Sequence, residues 1–136
     1  MPMNWKDRLA KGFIRKHTSG QIAEHIAEQF LKKQGLRLIA RNYRCRFGEI
    51  DRVMFEPESN SLVFVEVRFR AAGAWVDGVT SVDQRKQQRL ITTARHFLSQ
   101  HKHYQSHPIR FDIISLAHLS VEQVEWLPNA FDASGW

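Results

Sequence analysis

The sequence predicts an α/β fold: a single domain built around a mixed β-sheet of about five strands, flanked by helices. Two segments carry apolar residues at helical spacing, and five shorter apolar segments are typical of strands. Their order is α-β-β-β-α-β-β, and no repeat or low-complexity tract divides the 136 residues. A chain of this length can bury one core, so we expect one domain over residues 1–136.

The first predicted helix spans Thr18–Gln34. Gln21 lies three residues after Thr18, which is a capping-box pattern, and Gly35 after two lysines is typical of a helix end. Glu24 and Glu28 lie one turn apart on this helix, and each, taken alone, is typical of a solvated side chain. The second predicted helix runs from about residue 82 to residue 102, with an apolar stripe formed by Leu90, Ile91, Ala94, Phe97 and Leu98.

The strands are predicted over Leu36–Arg46, Gly48–Phe55, Leu62–Phe69, Ile109–Ala117 and Val121–Leu127. The third strand is the most apolar, as a central strand covered on both faces would be. We expect residues 1–17 to form a basic N-terminal arm, residues 18–127 to form the core, and residues 128–136 to form a C-terminal tail.

The charge of the chain favours polyanionic partners, because its net charge is +6 and its pI is near 9.9. Basic residues cluster between Lys32 and Arg46, and no acidic residue occurs from Gln84 to Phe111. Solvated faces and a nucleic-acid footprint both explain these clusters. One cysteine excludes an internal disulfide, and no signal peptide or membrane-spanning run is present, so we expect a cytoplasmic protein.

Asp51 in the second strand and Glu66 in the third are acidic side chains at positions where an apolar core strand should have none. Buried carboxylates are costly unless they are paired, hydrogen-bonded or bound to a cation. If the two strands form a hairpin whose turn centres near Glu58 and Ser59, the numbers of facing residues sum to about 117. Asp51 then lies opposite Glu66 or next to it.

Two carboxylates so close repel each other, and the pKa of one must rise unless a cation sits between them. Mg²⁺ suits such a site, since it uses one or two carboxylates together with phosphate oxygens. Arg68 shares a strand face with Glu66, which completes the layout of a phosphodiester hydrolase. A structural pair of carboxylates bonded to Arg68, Arg70 or Lys86 fits the spacing at least as well.

Two motifs carry a family resemblance: Gly48-Glu49-Ile50-Asp51 and Phe64-Val65-Glu66-Val67-Arg68-Phe69-Arg70. They resemble those of the YraN-like family of small bacterial proteins. That family is similar to the Holliday-junction resolvases and to the restriction-endonuclease-like, PD-(D/E)xK, nuclease superfamily. The similarity extends from about residue 19 to residue 127, and it implies a restriction-endonuclease-like fold.

The resemblance also implies a metal-dependent catalytic site. Asp51 and Glu66 match the metal ligands of the superfamily, with the backbone carbonyl of Val67 as a third ligand, and the metal would be Mg²⁺ or Mn²⁺. Glu24 matches the helix glutamate that joins such sites in resolvase-like relatives.

Arg68 departs from the superfamily motif, which has lysine at this position. A desolvated lysine can lose its proton and activate the attacking water, whereas arginine stays protonated. We therefore expect Arg68 to hold a phosphate or the hydrogen bonds of the water, and Lys86 on the second helix to supply a compensating amine.

The expected function is that of a metal-dependent endonuclease-like protein acting on DNA, including branched or junction DNA. A non-catalytic nucleic-acid-binding or partner-binding module with a nuclease fold is the open alternative. Because resolvase-like nucleases cut paired strands, a homodimer is one expected assembly; no membrane partner is expected. The residues predicted to contact nucleic acid are Arg41, Arg44, Arg46, Arg70, Arg85, Lys86 and Arg89.

Overall fold

The computed structural model describes residues 18–70 and 82–133. Its helices and strands are α1 (Ser19–Lys33), β1 (Arg37–Cys45), β2 (Gly48–Glu56), β3 (Ser61–Phe69), α2 (Gln84–Gln100), β4 (Ile109–Leu116) and β5 (Val124–Phe131). Two 3-10 turns, at Lys102–Tyr104 and Val121–Gln123, join the later elements. The predicted α/β class and element order are confirmed, while the arm predicted at residues 1–17 lies outside the described residues.

The five strands form one mixed sheet in the order β1-β2-β3-β4-β5. Every neighbouring pair is antiparallel except β3 and β4, which are parallel and are connected through α2. The central position predicted for β3 is confirmed, and residues 61–66 of this strand are all buried.

The sheet separates two apolar cores, because successive side chains of a strand point to opposite faces. Val63 and Val65 of β3 pack in the core beneath α1, whereas Leu62 and Phe64 pack in the core beneath α2. α1 begins at the predicted capping box: the Thr18 hydroxyl accepts from the Gln21 backbone N–H at 3.1 Å. No helix in the described ranges is long and apolar enough to cross a membrane.

The predicted end of the last strand is wrong. β5 begins three residues later than predicted, after the 3-10 turn, and it continues to Phe131, so residues 128–131 are strand rather than tail. Pro128 suggested a stop because proline cannot donate to a sheet ladder. The sheet accommodates it on an edge strand at a bulge, where Asn129 has φ 52° and donates its backbone N–H to Asp112.

Candidate functional site

The β2–β3 hairpin brings Asp51 and Glu66 together. Arg52 pairs with Val65 at the last bonded position of the ladder, so the next position places Asp51 level with Glu66. The predicted register is therefore confirmed. Asp51 Oδ2 accepts a hydrogen bond from the backbone N–H of Val67 at 2.8 Å. The backbone N–H and C=O of one strand residue point to the same side of the strand. The carbonyl of Val67 therefore points towards Asp51, as its N–H does.

These two carboxylates line a cleft of about 320 Å³, which we call the acidic cleft. The first turns of α1 form one wall, and the end of β3 forms another. The lining residues are Ser19, Gly20, Ala23, Glu24, Asp51, Glu66, Val67, Arg68, Phe69 and Arg70. Glu24, Asp51, Glu66 and Arg68, which the sequence singled out from three separate segments, therefore share one cavity.

The two carboxylates of the hairpin resist ionisation. Burial, followed by the charge of Glu66, raises the pKa of Asp51 to about 8 despite the Val67 hydrogen bond, and the charges of Glu24 and Glu49 add to the shift. Burial also raises the pKa of Glu66. At neutral pH the cleft therefore favours either a proton or a bound cation.

Two cations partly offset the charge of Glu66. Lys86 on α2 places Nζ 3.3 Å from Glu66 Oε1, and Arg68 places Nη1 3.5 Å from the same oxygen. Both act to lower the pKa of Glu66, but the effect of burial is larger. The structure thus places Lys86, predicted as the compensating amine, beside the carboxylate pair.

Glu24 reaches the cleft from α1 and is held there by two neighbours. Its Oε1 accepts from Asn42 Nδ2 at 2.8 Å and from Arg52 Nη1 at 3.2 Å. Arg52 also donates to the backbone carbonyl of Asp51 at 2.7 Å. One guanidinium therefore bonds to the side chain of Glu24 and to the backbone of Asp51.

Sequence reasoning missed Glu28, which is fully buried rather than solvated. Its carboxylate accepts hydrogen bonds from Nε and Nη2 of Arg41 at 2.7 and 2.8 Å and from Nε of Arg52 at 2.8 Å. The Nζ atom of Lys32 lies 3.0 Å away. Burial alone would raise the pKa of Glu28, but the hydrogen bonds from Arg41 and Lys32 and the charge of Arg52 hold it at about 2. A basic residue inside an apolar strand, Arg52, was the available signal for a buried acidic partner.

Two of the basic residues predicted to contact nucleic acid are held in ion pairs within the protein. Arg41 makes the bidentate pair with Glu28, although 55% of its side chain is exposed. Arg44 lies 3.3 Å from Glu49. Part of the basic cluster between Lys32 and Arg46 therefore makes ion pairs within the fold. The interpretation of this cluster as a solvated face did not predict these pairs.

The other predicted basic residues lie at two places. Lys86 and Arg70 lie at the acidic cleft, and the buried Nε of Arg70 has no hydrogen-bond partner in the described part of the chain. Arg46 stacks on Phe47, and Arg85 and Arg89 line a second groove next to that ring. Nucleic-acid contact by these residues stays a prediction.

The donors of the acidic cleft suit a hard divalent ion that takes few protein ligands. Residues 18–70 and 82–133 contain no group of three or more His, Cys, Asp or Glu side chains placed to hold a metal ion. Asp51 and Glu66 nevertheless offer two carboxylates, and burial together with the charge of Glu66 raises the pKa of Asp51, so a cation would favour its charged form. Mg²⁺ needs only one or two carboxylates when substrate oxygens and water complete its shell.

The chain matches known sequences over most of its length. Residues 23–116 match the model of the family described as "Uncharacterised protein family UPF0102". A UPF0102 protein of Methylobacillus flagellatus is 48% identical over 114 residues, covering 84% of this chain and 96% of the relative. UPF0102 proteins of Pseudomonas putida and Nitrosomonas europaea are 43% and 44% identical, covering 84% and 85% of this chain and 93% and 94% of their own lengths.

Proposed function

This chain belongs to the UPF0102 family, and from that premise we propose that it is a metal-dependent endonuclease-like protein acting on DNA, including branched or junction DNA. One observation carries the proposal. The half-buried Asp51 and the buried Glu66 lie side by side at the open end of the central hairpin, with Lys86 and Arg68 beside them. A fold gains no stability from two such acids unless a proton or cation compensates them, so their placement favours a functional role.

Asp51, Glu66 and the Val67 carbonyl would hold Mg²⁺ or Mn²⁺. Such an ion, when bound, supplies positive charge for a phosphate oxygen and makes a water molecule more acidic. Asp51 presents one oxygen to the Val67 N–H, which fixes the orientation of its carboxylate. Glu24 is fixed in turn by Asn42 and Arg52, so the acids of the cleft have defined positions before any ligand arrives.

The cations of the site have distinct roles in this proposal. Arg68 stays protonated, so it holds a phosphate oxygen and offsets charge that develops on it. Lys86 carries an amine on a flexible stem from α2, and it can turn from Glu66 to a phosphate or a water. Proton removal from the water then depends on the carboxylates and on Lys86 rather than on Arg68.

A second candidate function has its own supporting observation. Lys86 and Arg68 both bond to the same oxygen of Glu66, as they would if they neutralised it permanently. The chain would then be a DNA-binding or partner-binding module that keeps the cleft without the reaction. Binding would depend on the exposed arginines and would weaken steeply with salt.

The deciding experiment combines cleavage with thermal stability. Linear duplex and four-way-junction DNA are incubated with the protein and Mn²⁺ or Mg²⁺, and Tm is measured with and without the ion. We expect cleavage and an ion-dependent rise in Tm in the wild type, and loss of both in Asp51→Asn. Glu125→Gln, which removes an exposed carboxylate on β5, is the matched control and should behave as wild type.

Absence of both cleavage and the ion-dependent rise in Tm would contradict the nuclease proposal. If DNA binding persisted in that case, with a steep dependence on salt, the binding-module function would replace it. Loss of that binding on removing the charges of Arg85 and Arg89 would place the interface on α2.

A further inference from the structure

Phe47 is an exposed aromatic ring in a turn that packs against α2. It lies in the turn between β1 and β2, and 39% of its surface is exposed. The next residue, Gly48, has φ 151°, and a Cβ there would lie 3.1 Å from the Thr93 hydroxyl of α2. The turn therefore approaches α2 so closely that a side chain at residue 48 would be crowded. Phe47 is thus presented by a turn packed against a helix.

Phe47 forms one side of a groove whose other side is α2. This Phe47 groove has a volume of about 380 Å³, and its lining residues are Phe47, Arg85, Gln88, Arg89 and Thr92. The Arg46 guanidinium lies over the ring, 4.7 Å from its centroid, and the His96 ring meets it in a T-shaped arrangement at 6.2 Å. The surface therefore combines an aromatic ring with three cations.

The positive charge of this groove is available to a ligand. Arg46, Arg85 and Arg89 make no ion pair with any carboxylate in residues 18–70 and 82–133. Glu49 is close in sequence, but its carboxylate is bonded to Arg44 and Asn42. The charge of the groove is therefore complementary to a polyanion.

The first turn of α2 contributes one residue to the Phe47 groove and the next to the acid pair of the cleft. Arg85 lines the groove, and the next residue, Lys86, reaches Glu66 in the cleft. Asp51 lies four positions after Phe47 in the sequence, which corresponds to about 13 Å of extended strand. A strand of DNA seated in one site would therefore reach the other within a few nucleotides.

We propose that the Phe47 groove binds an unpaired segment of DNA, with a nucleobase stacked on Phe47 and the adjacent phosphates held by Arg85 and Arg89. The ring can stack only on a base that has left the duplex, whereas the arginines accept phosphates of any sequence. This inference rests on the proposed function and deepens it. The substrate becomes DNA in which a single-stranded segment adjoins a duplex.

The test measures stacking and binding separately, with EDTA present so that no DNA is cleaved. One probe is a duplex with a single-stranded overhang that contains 2-aminopurine, whose fluorescence falls when the base stacks. The other is a blunt duplex of the same total length, and both carry a fluorescein label for anisotropy. The wild type should quench the 2-aminopurine and bind the overhang duplex more tightly than the blunt one.

The variants locate the effect. Phe47→Ala should abolish the quenching and weaken binding of the overhang duplex by about 5- to 100-fold, with little change for the blunt duplex. Phe47→Tyr should restore both signals, because its ring also stacks. Leu119→Ala removes the other large apolar side chain exposed in the described ranges, and it should change neither. Arg89→Ala should weaken binding of both probes and lower its salt dependence.

The outcomes distinguish this inference from the proposed function. Equal binding of the two probes, or quenching that survives in Phe47→Ala, would overturn the inference while cleavage of DNA with Mn²⁺ could still stand. Phe47-dependent quenching by a protein that cleaves no DNA would support the groove and contradict the nuclease. Failure to bind either probe in EDTA would overturn the inference, and the cleavage assay with Mn²⁺ would decide the nuclease separately.

Discussion

Of the two acids Glu28 and Asp51, the more deeply buried one, Glu28, ionises more readily. Glu28 is fully buried and has a pKa of about 2, whereas Asp51 is partly exposed and has a pKa of about 8. Glu28 accepts hydrogen bonds from two arginines and lies 3.0 Å from the Lys32 amine. Asp51 accepts one from the Val67 backbone and faces another carboxylate.

The difference teaches that the partners of a buried acid, rather than its depth, decide its charge. At Glu28 the fold has supplied every cation that the carboxylate needs, so the residue joins α1 to β1 and β2. At Asp51 the fold has supplied too little positive charge. A carboxylate left undercompensated by its own protein is suited to a ligand that completes it.

The largest effect should follow from breaking the compensated cluster. In Glu28→Gln, Arg52 is still buried, with 4% of it exposed, but it keeps only Glu24 as a carboxylate partner on α1. We expect the free energy of unfolding to fall by about 3–5 kcal/mol, because removal of one partner strands the other charges. Urea unfolding followed by circular dichroism at pH 7 measures it. A loss under about 1 kcal/mol would show that water compensates Arg52.

At Asp51 we expect a substitution to increase the free energy of unfolding rather than to lower it. Asp51→Asn should raise the stability of the metal-free protein by about 1–2 kcal/mol at pH 8, because one pKa unit corresponds to about 1.4 kcal/mol and solvent screens most of the shift at this half-buried carboxylate. Folding raises the pKa of Asp51 from 3.8 to about 8. Between these pH values the unfolded chain loses the proton of Asp51 while the folded protein keeps it, so the free energy of unfolding falls as pH rises. The gain should therefore shrink towards pH 4.

Urea unfolding in EDTA at pH 4, 6 and 8 measures this dependence, with Glu125→Gln as the control for loss of a carboxylate. A stability difference that stayed constant from pH 4 to pH 8 would show that Asp51 is ionised throughout in the native protein. The comparison with Glu28 would then fail.

The smallest effect should come from an exposed ion pair. Arg44 lies 3.3 Å from Glu49, but 75% of its side chain is exposed. Arg44→Ala should change the free energy of unfolding by about 0.5 kcal/mol or less, because solvent screens such a pair. Thermal unfolding at 50 and 500 mM NaCl checks this. A larger, salt-resistant loss would place Arg44 in the same class as Arg41.

The hairpin could be predicted from the sequence, but the cluster at Glu28 could not. Asp51 and Glu66 lie on neighbouring strands joined by a short turn, so the turn position fixes which residues face each other. The two arginine partners of Glu28 lie 13 and 24 residues away, on two strands whose position against α1 depends on the tertiary packing. The local pattern of apolar residues does not show which residues of distant strands contact Glu28.

The end of β5 was missed for a related reason. Pro128 breaks the local strand pattern, and only the buried Asp112 of β4, which accepts from the Asn129 N–H and from Trp126 Nε1, explains how the chain continues. Acceptors supplied by a neighbouring strand are invisible in a segment read by itself.

The parallel pairing of β3 with β4 has a consequence for the order of folding. Leu62 pairs with Ile109, 47 residues further along, whereas β1, β2 and β3 pair through short turns. Contacts close in sequence form with less loss of chain entropy, so we expect the three-stranded meander to form before the crossover. In that order of folding, Asp51 and Glu66 come together before Lys86 reaches Glu66. Before α2 docks, Arg68 of β3 is the nearby cation of the acid pair within the meander, and Lys86 adds its charge only when the crossover is complete.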